Sequence, residues 1–200
     1  MLTKEQIENN AKEFMALLDG IDVPWDKEGF SKYIISSDFF IAPASRFYHR
    51  AYPGGLCAHS LSVYHELVRL LKLYNLYDQY SESSIRIVSL FHDISKTNFY
   101  EKFLRNVKDD QGNWIQIDDY RIADGSKRFT IYDHAVNSFM IVNKFIELSD
   151  EESAAICMHM ADMDRHGFNS DSSAIFSKYP LASLLHMADF IATYVIERDE

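Results

Sequence analysis

Hydrophobic positions recur with helical spacing over most of the chain. Thr3 has the side chain of a helix cap and Gly20 ends the first apolar pattern, so a helix is predicted between them. A second, short helix is predicted to open at Pro24-Trp25. Further helices are predicted over residues 56–77, 82–95, 133–148, 150–162 and 179–197.

Two stretches depart from this pattern. Residues 36–55 hold two prolines, two adjacent glycines and several serines, which predicts a long structured loop; loops of that length inside a compact domain are often functional. Residues 99–119 carry two alternating segments around Asp-Asp-Gln-Gly-Asn, which predicts a β-hairpin with its turn near Gly112. The predicted fold class is therefore all-α, with a small β-hairpin inserted near residues 100–119.

Composition narrows the function classes. The 200 residues form one domain, or one domain with a small appendage, and 47% are hydrophobic, which suffices for a core. A net charge of −10 argues against a general nucleic-acid binder, although a small anionic substrate held by a metal remains compatible with it.

No apolar run approaches the ~18 residues of a membrane span, and the polar start is unlike a signal peptide. With two cysteines, Cys57 and Cys157, expected to be reduced and buried, the sequence predicts a cytoplasmic protein without a membrane partner.

An adjacent His-Asp pair is the strongest chemical signal. His92 and Asp93 stand in LFHDISK, at the end of a predicted apolar helix. Burying an unpaired carboxylate is costly, and a metal ion is the usual partner of His and Asp together. Lys96 is expected on the same helix face, where a cation suits an anionic substrate better than it suits core packing.

Further polar residues lie singly on other predicted helices. Each is embedded among apolar neighbours, so each is expected to face the interior: His59, His134, His159 and Asp189. Together with His92-Asp93 they are predicted to converge on one internal site, which is how helical bundles build metal centres.

These segments resemble a known family. HDISK, with an upstream histidine in GGLCAHSLSV, resembles the HD superfamily of metal-dependent phosphohydrolases. The longer segment APASRFYHRAYPGGLCAHSLSV is similar to HD proteins of bacteria and their phages, and to the HD half of certain bacterial 3′-to-5′ exoribonucleases. RNVKDDQGNW, IYDHAVNS and LLHMADFIATY continue the likeness over roughly residues 30–196. The resemblance implies an HD-domain helical bundle, with residues 1–200 as a single HD domain and residues 1–36 as an N-terminal helical extension packed on it.

The resemblance also implies a ligand set. The family's minimal pattern corresponds to His59, His92, Asp93 and Asp189, and members with two metals add histidines where His134 and His159 stand. It implies one or two divalent transition metal ions, with Asp93 bridging two; Fe, Mn, Co, Ni and Zn all suit such ligands. Ser95 occupies a position where the family often has glycine.

The expected chemistry is metal-assisted hydrolysis. Two ions could hold a hydroxide that attacks phosphorus, with Asp93 and Lys96 as catalytic residues and Lys96 stabilising charge on the phosphate oxygens. Arg46 and His49, in the loop before His59, are candidates for binding substrate phosphate, as is Lys96. Arg165 and His166 are candidates for the mouth of the site, and His186 for the core or the surroundings of the ligands.

Alternative functions stay open. The favoured one is cleavage of a phosphodiester or a nucleotide phosphate bond, and the expected partner is a small anionic substrate such as a nucleotide. A mononuclear nucleotidase or deoxynucleoside triphosphatase usually has an acid shortly after the His-Asp pair, and residues 94–97, Ile-Ser-Lys-Thr, lack one. A non-catalytic nucleotide-binding protein should have lost ligands, and a purely structural helical protein would not need them. Neither the substrate nor the oligomeric state follows from the sequence.

Overall fold

The structure is a computed structural model that describes residues 1–125, 128–161 and 170–198. The described residues are mostly helical and contain one antiparallel hairpin. The elements are α1 (Lys4–Asp19), α2 (Lys27–Ser36), α3 (Gly55–Leu73), α4 (Glu82–Phe91), β1 (Tyr100–Lys108), β2 (Trp114–Ile122), α5 (His134–Val142), α6 (Asp150–Met158), α7 (Ser170–Lys178) and α8 (Pro180–Ile191), with 3₁₀ turns at Tyr77–Gln79 and Ile94–Lys96 and a π-helical turn at Ala192–Ile196.

The predicted mainly helical class with a hairpin is confirmed. Thr3 caps α1 in a capping box with Gln6, and Gly20 is its C-cap, as predicted. The hairpin joins Tyr100–Lys108 to Trp114–Ile122, so it runs three residues past the predicted end. Its turn contains Gly112 at φ +84°, a conformation in which glycine is favoured because it has no Cβ.

Several predicted boundaries are wrong. The helix predicted over 82–95 ends at Phe91, and His92 is its C-cap. Lys96 therefore does not share an α-helix with His92, and a 3₁₀ turn closed by the Lys96 N–H to the Asp93 carbonyl (2.9 Å) brings it back towards Asp93 instead. The helix predicted over 133–148 ends at Val142, and α7 was not predicted because its segment is polar and carries few apolar positions.

Two apolar clusters meet along α3. One joins α1, α2, α3 and α4 through residues such as Phe14, Phe30, Leu56 and Phe91, so the N-terminal helices pack onto the rest of the bundle. The other joins α3 and α4 to α6 and α8. Because α3 is buried from Gly55 to Leu61, the side chain of His59 faces the interior of the protein.

The loop between α2 and α3 contains neither helix nor strand, as predicted. It packs tightly on the start of α3, since a Cβ on Gly55 would lie 2.1 Å from the carbonyl oxygen of Arg50. Arg50 itself has φ +45°, outside the region that most non-glycine residues adopt. The close approach fixes the loop against the helix that carries His59.

No single helix among the described residues has both the length and the apolar composition for a membrane crossing. One pair of segments, Ser172–Lys178 with Pro180–Ile196, meets those criteria together but is bent by 109°. Both cysteines are free thiols, Cys57 buried and Cys157 partly buried.

Candidate metal centre

Different elements deliver the predicted ligands to one place. His59 lies on α3, His92 and Asp93 follow the end of α4, His134 begins α5, His159 is the C-cap of α6 and Asp189 lies on α8. The side chains of His59, His92, Asp93 and His159 are at most 2% exposed. The structure thus brings the six predicted residues together from five separate parts of the chain.

The carboxylate of Asp93 lies at the centre of the cluster. Its Oδ2 is 3.6 Å from Nε2 of His59 and 3.6 Å from Nε2 of His92. Its Oδ1 is 3.7 Å from Nε2 of His134 and 3.5 Å from Nε2 of His159. Each oxygen therefore faces its own pair of imidazole nitrogens.

Asp189 completes one half of the site. Its Oδ1 is 3.1 Å from Nε2 of His59 and 4.0 Å from Nε2 of His92. Groups of potential ligand atoms close enough to share an ion include His59, His92 and Asp93 on one side and Asp93, His134 and His159 on the other.

Helix ends orient two of the histidine rings. Nδ1 of His92 donates to the carbonyl of Ser89 (2.8 Å), and Nδ1 of His159 donates to the carbonyl of Ile156 (2.7 Å). Each carbonyl belongs to the last turn of its helix, where backbone oxygens lack helical partners. Since a carbonyl only accepts, both rings carry hydrogen on Nδ1, and in its neutral form each ring would present the lone pair of Nε2 to the site.

A buried carboxylate, Glu197, orients His59 and was missed by sequence reasoning. It accepts from Nδ1 of His59 at 3.1 Å, and Arg50 lies 3.3 Å from its other oxygen. Positions 189 and 197 would differ by about 80° around an α-helix axis. The wider π turn between them, closed by the Glu197 N–H to the Ala192 carbonyl (2.9 Å), reduces that rotation, so Asp189 and Glu197 both reach His59.

Unsatisfied polar atoms indicate that the site suits a metal. Within the described part of the chain, three buried atoms that converge here have no hydrogen-bond partner: Oδ1 of Asp93, Nε2 of His134 and Nε2 of His159. Buried polar atoms are normally paired, because an unpaired one costs about 1–3 kcal/mol. Imidazole nitrogen and carboxylate oxygen are suitable ligands for divalent transition metals, so the residues present fit such an ion.

Burial and neighbouring charges set the protonation of these groups. Burial lowers the pKa of His92 to about 4 and that of His134 to about 3, which keeps both rings in the neutral form that binds metals. Burial opposes the charged form of His59 too, but Glu197 and Asp189 outweigh it and raise its pKa to about 10. Burial acts to raise the pKa of Asp93, yet Lys96 and the histidines hold it well below its usual value.

The predicted substrate-binding residues take three different positions. Nζ of Lys96 lies 2.6 Å from Oδ2 of Asp93, and its side chain is 14% exposed. His49 lies against the site, with its ring centroid 4.7 Å from that of His59. Arg46 does not reach the site: its Nε donates to the carbonyl of Tyr120 on the hairpin (2.7 Å).

The remaining histidines lie in different places. His186 donates from Nδ1 to the carbonyl of His159 (2.6 Å), so it supports the end of α6 beside the ligands. His65 pairs with Glu13 at the surface. Arg165 and His166 lie outside the described residues.

A cavity of about 460 Å³ opens onto the cluster. Polar residues on its lining include Lys96, His134, His159 and Asp189, and aromatic side chains line it as well. Its volume falls within the ~300–1,000 Å³ of small-molecule sites.

Comparison of the chain with protein-family models, with curated proteins and with solved structures returned no match. The resemblance to the HD superfamily therefore rests on the sequence motifs alone.

Proposed function

We propose that this protein is a metal-dependent phosphohydrolase that cleaves a phosphodiester or a nucleotide phosphate bond. The observation that carries the proposal is the position of Asp93, whose two carboxylate oxygens each face a separate pair of histidine nitrogens. A carboxylate in that arrangement can bridge two cations, and paired cations are typical of enzymes that displace groups at phosphorus.

Each half of the cluster would hold one ion. Oδ2 of Asp93 with His59 and His92 offers one group, which Asp189 joins through its 3.1 Å approach to His59 and so makes four ligands. Oδ1 of Asp93 with His134 and His159 offers a second group of three. Divalent ions held there would lower the pKa of water and polarise phosphate oxygens. The half with three protein ligands would leave more room for the substrate.

Lys96 is proposed to bind the substrate phosphate. It lines the cavity, and in the structure its ammonium is paired with Asp93. Glu101, an acidic residue five positions further on, pairs with Arg121 on the hairpin (2.7 Å). A cation that lines the cavity, and whose ion pair among the described residues is with Asp93, suits the charge that develops on phosphate oxygens during hydrolysis.

A mononuclear centre is the second candidate, as in a nucleotidase. The observation that favours it is the exposure of His134, whose side chain is 24% exposed against 0% for that of His159. Of the six residues, a partly exposed histidine at the start of a helix is the one that solvent competes with most readily, so His134 is the ligand that a metal ion would most readily do without. The half with His59, His92, Asp93 and Asp189 would then act alone.

Metal content and hydrolysis together test the proposal. Protein purified with added Mn²⁺, Fe²⁺, Co²⁺, Ni²⁺ or Zn²⁺ is analysed for metal and assayed with bis(p-nitrophenyl) phosphate, cyclic mono- and dinucleotides, nucleoside triphosphates and short RNA. Two ions per chain with diester cleavage support the dinuclear hydrolase, and one ion with nucleotidase activity supports the second candidate. Bound metal without hydrolysis of any substrate would leave a binding protein, and no bound metal would refute both candidates. Glu147→Ala, at an exposed position, is the control for Asp93→Ala.

A further inference from the structure

Aromatic side chains from separate elements line the cavity. Tyr48 comes from the α2–α3 loop, Tyr100 begins β1, Phe190 lies near the end of α8 and Tyr194 lies in the π turn that follows. The last two form a pair: their ring centroids are 4.8 Å apart, and the residues are 47% and 48% exposed. The cavity therefore has a charged inner part and an aromatic outer part.

This pair differs from the aromatic pairs of the core. Phe30 and Phe91 also lie close, with ring centroids 4.5 Å apart, but both are fully buried. Phe190 and Tyr194 leave about half of their surface open while lining a cavity. Exposed apolar surface at a concave site is typical of a surface that a ligand covers.

The inner part of the cavity is suited to one phosphate group. Lys96 is the single lysine or arginine among the described residues that line it. A triphosphate carries several charges and is usually bound by several cations or by a glycine-rich loop at a helix N-terminus. The described lining therefore favours a monophosphate or a phosphate ester.

The two parts lie on one segment of the chain. Asp189, in the metal cluster, directly precedes Phe190 and stands five residues before Tyr194, a rise of about 6–8 Å along the axis from Asp189 to Tyr194. The aromatic pair therefore lies beside the cluster, within reach of a small ligand bound there.

We propose that the cavity binds a nucleoside monophosphate or its ester, with the base stacked on Phe190 and Tyr194. The phosphate end rests on the proposed function, whereas the base subsite rests on the aromatic pair. Stacking of a base on an aromatic side chain contributes about 1–3 kcal/mol, which corresponds to a 5- to 150-fold change in affinity.

Equilibrium binding tests the subsite without relying on catalysis. The metal-loaded protein is titrated calorimetrically, at low temperature, with AMP and with ribose 5-phosphate, and both ligands are checked for integrity afterwards. AMP is expected to bind 5- to 150-fold more tightly, because only AMP has a base. Phe190→Ala and Tyr194→Ala are each expected to reduce that ratio, and Tyr194→Phe is expected to retain it.

Val195→Ala is the matched control. Val195 is 67% exposed on the same π turn but does not line the cavity, so its variant should keep the ratio. Equal affinity for AMP and ribose 5-phosphate would overturn the subsite even if the protein hydrolyses phosphate esters. A base preference without any hydrolysis would support the subsite and count against the proposed function.

Discussion

Glu197 accepts a hydrogen bond from Nδ1 of His59 at 3.1 Å, although the two residues are 138 positions apart in the sequence. The carboxylate is buried, and Arg50 approaches it at 3.3 Å. With Nδ1 engaged, Nε2 of His59 points at Asp189, 3.1 Å away. A carboxylate behind a ligand histidine fixes the ring and increases its basicity.

Removing Glu197 is expected to weaken metal binding. Glu197→Ala should lower metal affinity about 10- to 100-fold, the usual effect of losing such a partner. Glu197→Gln should lower it less, since its amide oxygen can still accept from Nδ1. Competition with a chelator measures the affinity, and ¹⁵N NMR of the imidazole nitrogens reports the tautomer. Wild-type affinity and tautomer in the alanine variant would contradict a positioning role.

Removing the Asp93 side chain should abolish metal binding without unfolding the protein. Asp93→Ala is expected to abolish metal binding and activity, because both halves of the site lose a ligand, while the fold survives. It also leaves Lys96 without its 2.6 Å partner, a loss of about 1–3 kcal/mol of unfolding free energy. Urea denaturation should show that loss in Asp93→Ala and its recovery in the double variant with Lys96→Met. Retained metal binding and turnover in Asp93→Ala would show that Asp93 is not an essential metal ligand.

Lys96→Ala tests the phosphate contact. If Lys96 binds substrate, the variant should keep its metal and lose about 10²- to 10³-fold in turnover, as expected for a contact that stabilises charge in the transition state. Lys102→Ala, on the exposed hairpin, should behave as wild type. Steady-state rates with metal content measured alongside decide the matter. Full metal with full activity would mean that Lys96 serves only to neutralise Asp93.

The two thiols should react slowly in the folded protein. Burial raises the pKa of Cys57 to about 12 and that of Cys157 to about 11, so both remain protonated at pH 8, where the reactive thiolate is scarce. Labelling with a chromogenic disulfide at pH 8 is expected to be slow in the native state and fast in guanidinium, and it should accelerate as the pH rises towards these values. Cys157 should label before Cys57, because it is less buried. Rapid native labelling of Cys57 would show that α3 opens readily.

The sequence predicted the cluster well because its residues interrupt apolar stripes. A polar residue such as His59 or Asp189 among buried leucines has to be satisfied inside the protein, and helical spacing alone indicates which way it faces. Glu197 could not be found in this way. Periodicity predicted an α-helix to residue 197, and the π turn that redirects its side chain has no spacing signal.

The sequence indicated which loop residues could bind a phosphate, but not which way their side chains point. Arg46 and His49 stand three positions apart in one loop, and both were expected at the substrate. The structure brings His49 to the cavity and bonds Arg46 to the hairpin, because the loop and the hairpin pack together through the Tyr120 carbonyl. Such contacts depend on tertiary packing, which local pattern does not specify.

Ser95 connects the turn after the His-Asp pair to α5. Its hydroxyl donates to the carbonyl of His134 at 2.7 Å, and its N–H donates to the hydroxyl of Ser138 at 3.2 Å. Ser138 donates to the same His134 carbonyl at 2.9 Å, so two hydroxyls fix the first residue of α5. The serine at this position therefore has a structural role that a glycine could not fill.

Loss of the Ser95 hydroxyl should affect one half of the metal site more than the other. Ser95→Ala is expected to cost about 0.5–1.5 kcal/mol in unfolding free energy, the usual contribution of one hydrogen bond. Because His134 belongs only to the half with His159, the variant should lose affinity for the ion in that half and retain the other ion. Metal titration followed by calorimetry would resolve the two sites, with Ser36→Ala at an exposed helix end as the control. Equal weakening of both sites would show that Ser95 supports the whole cluster rather than His134.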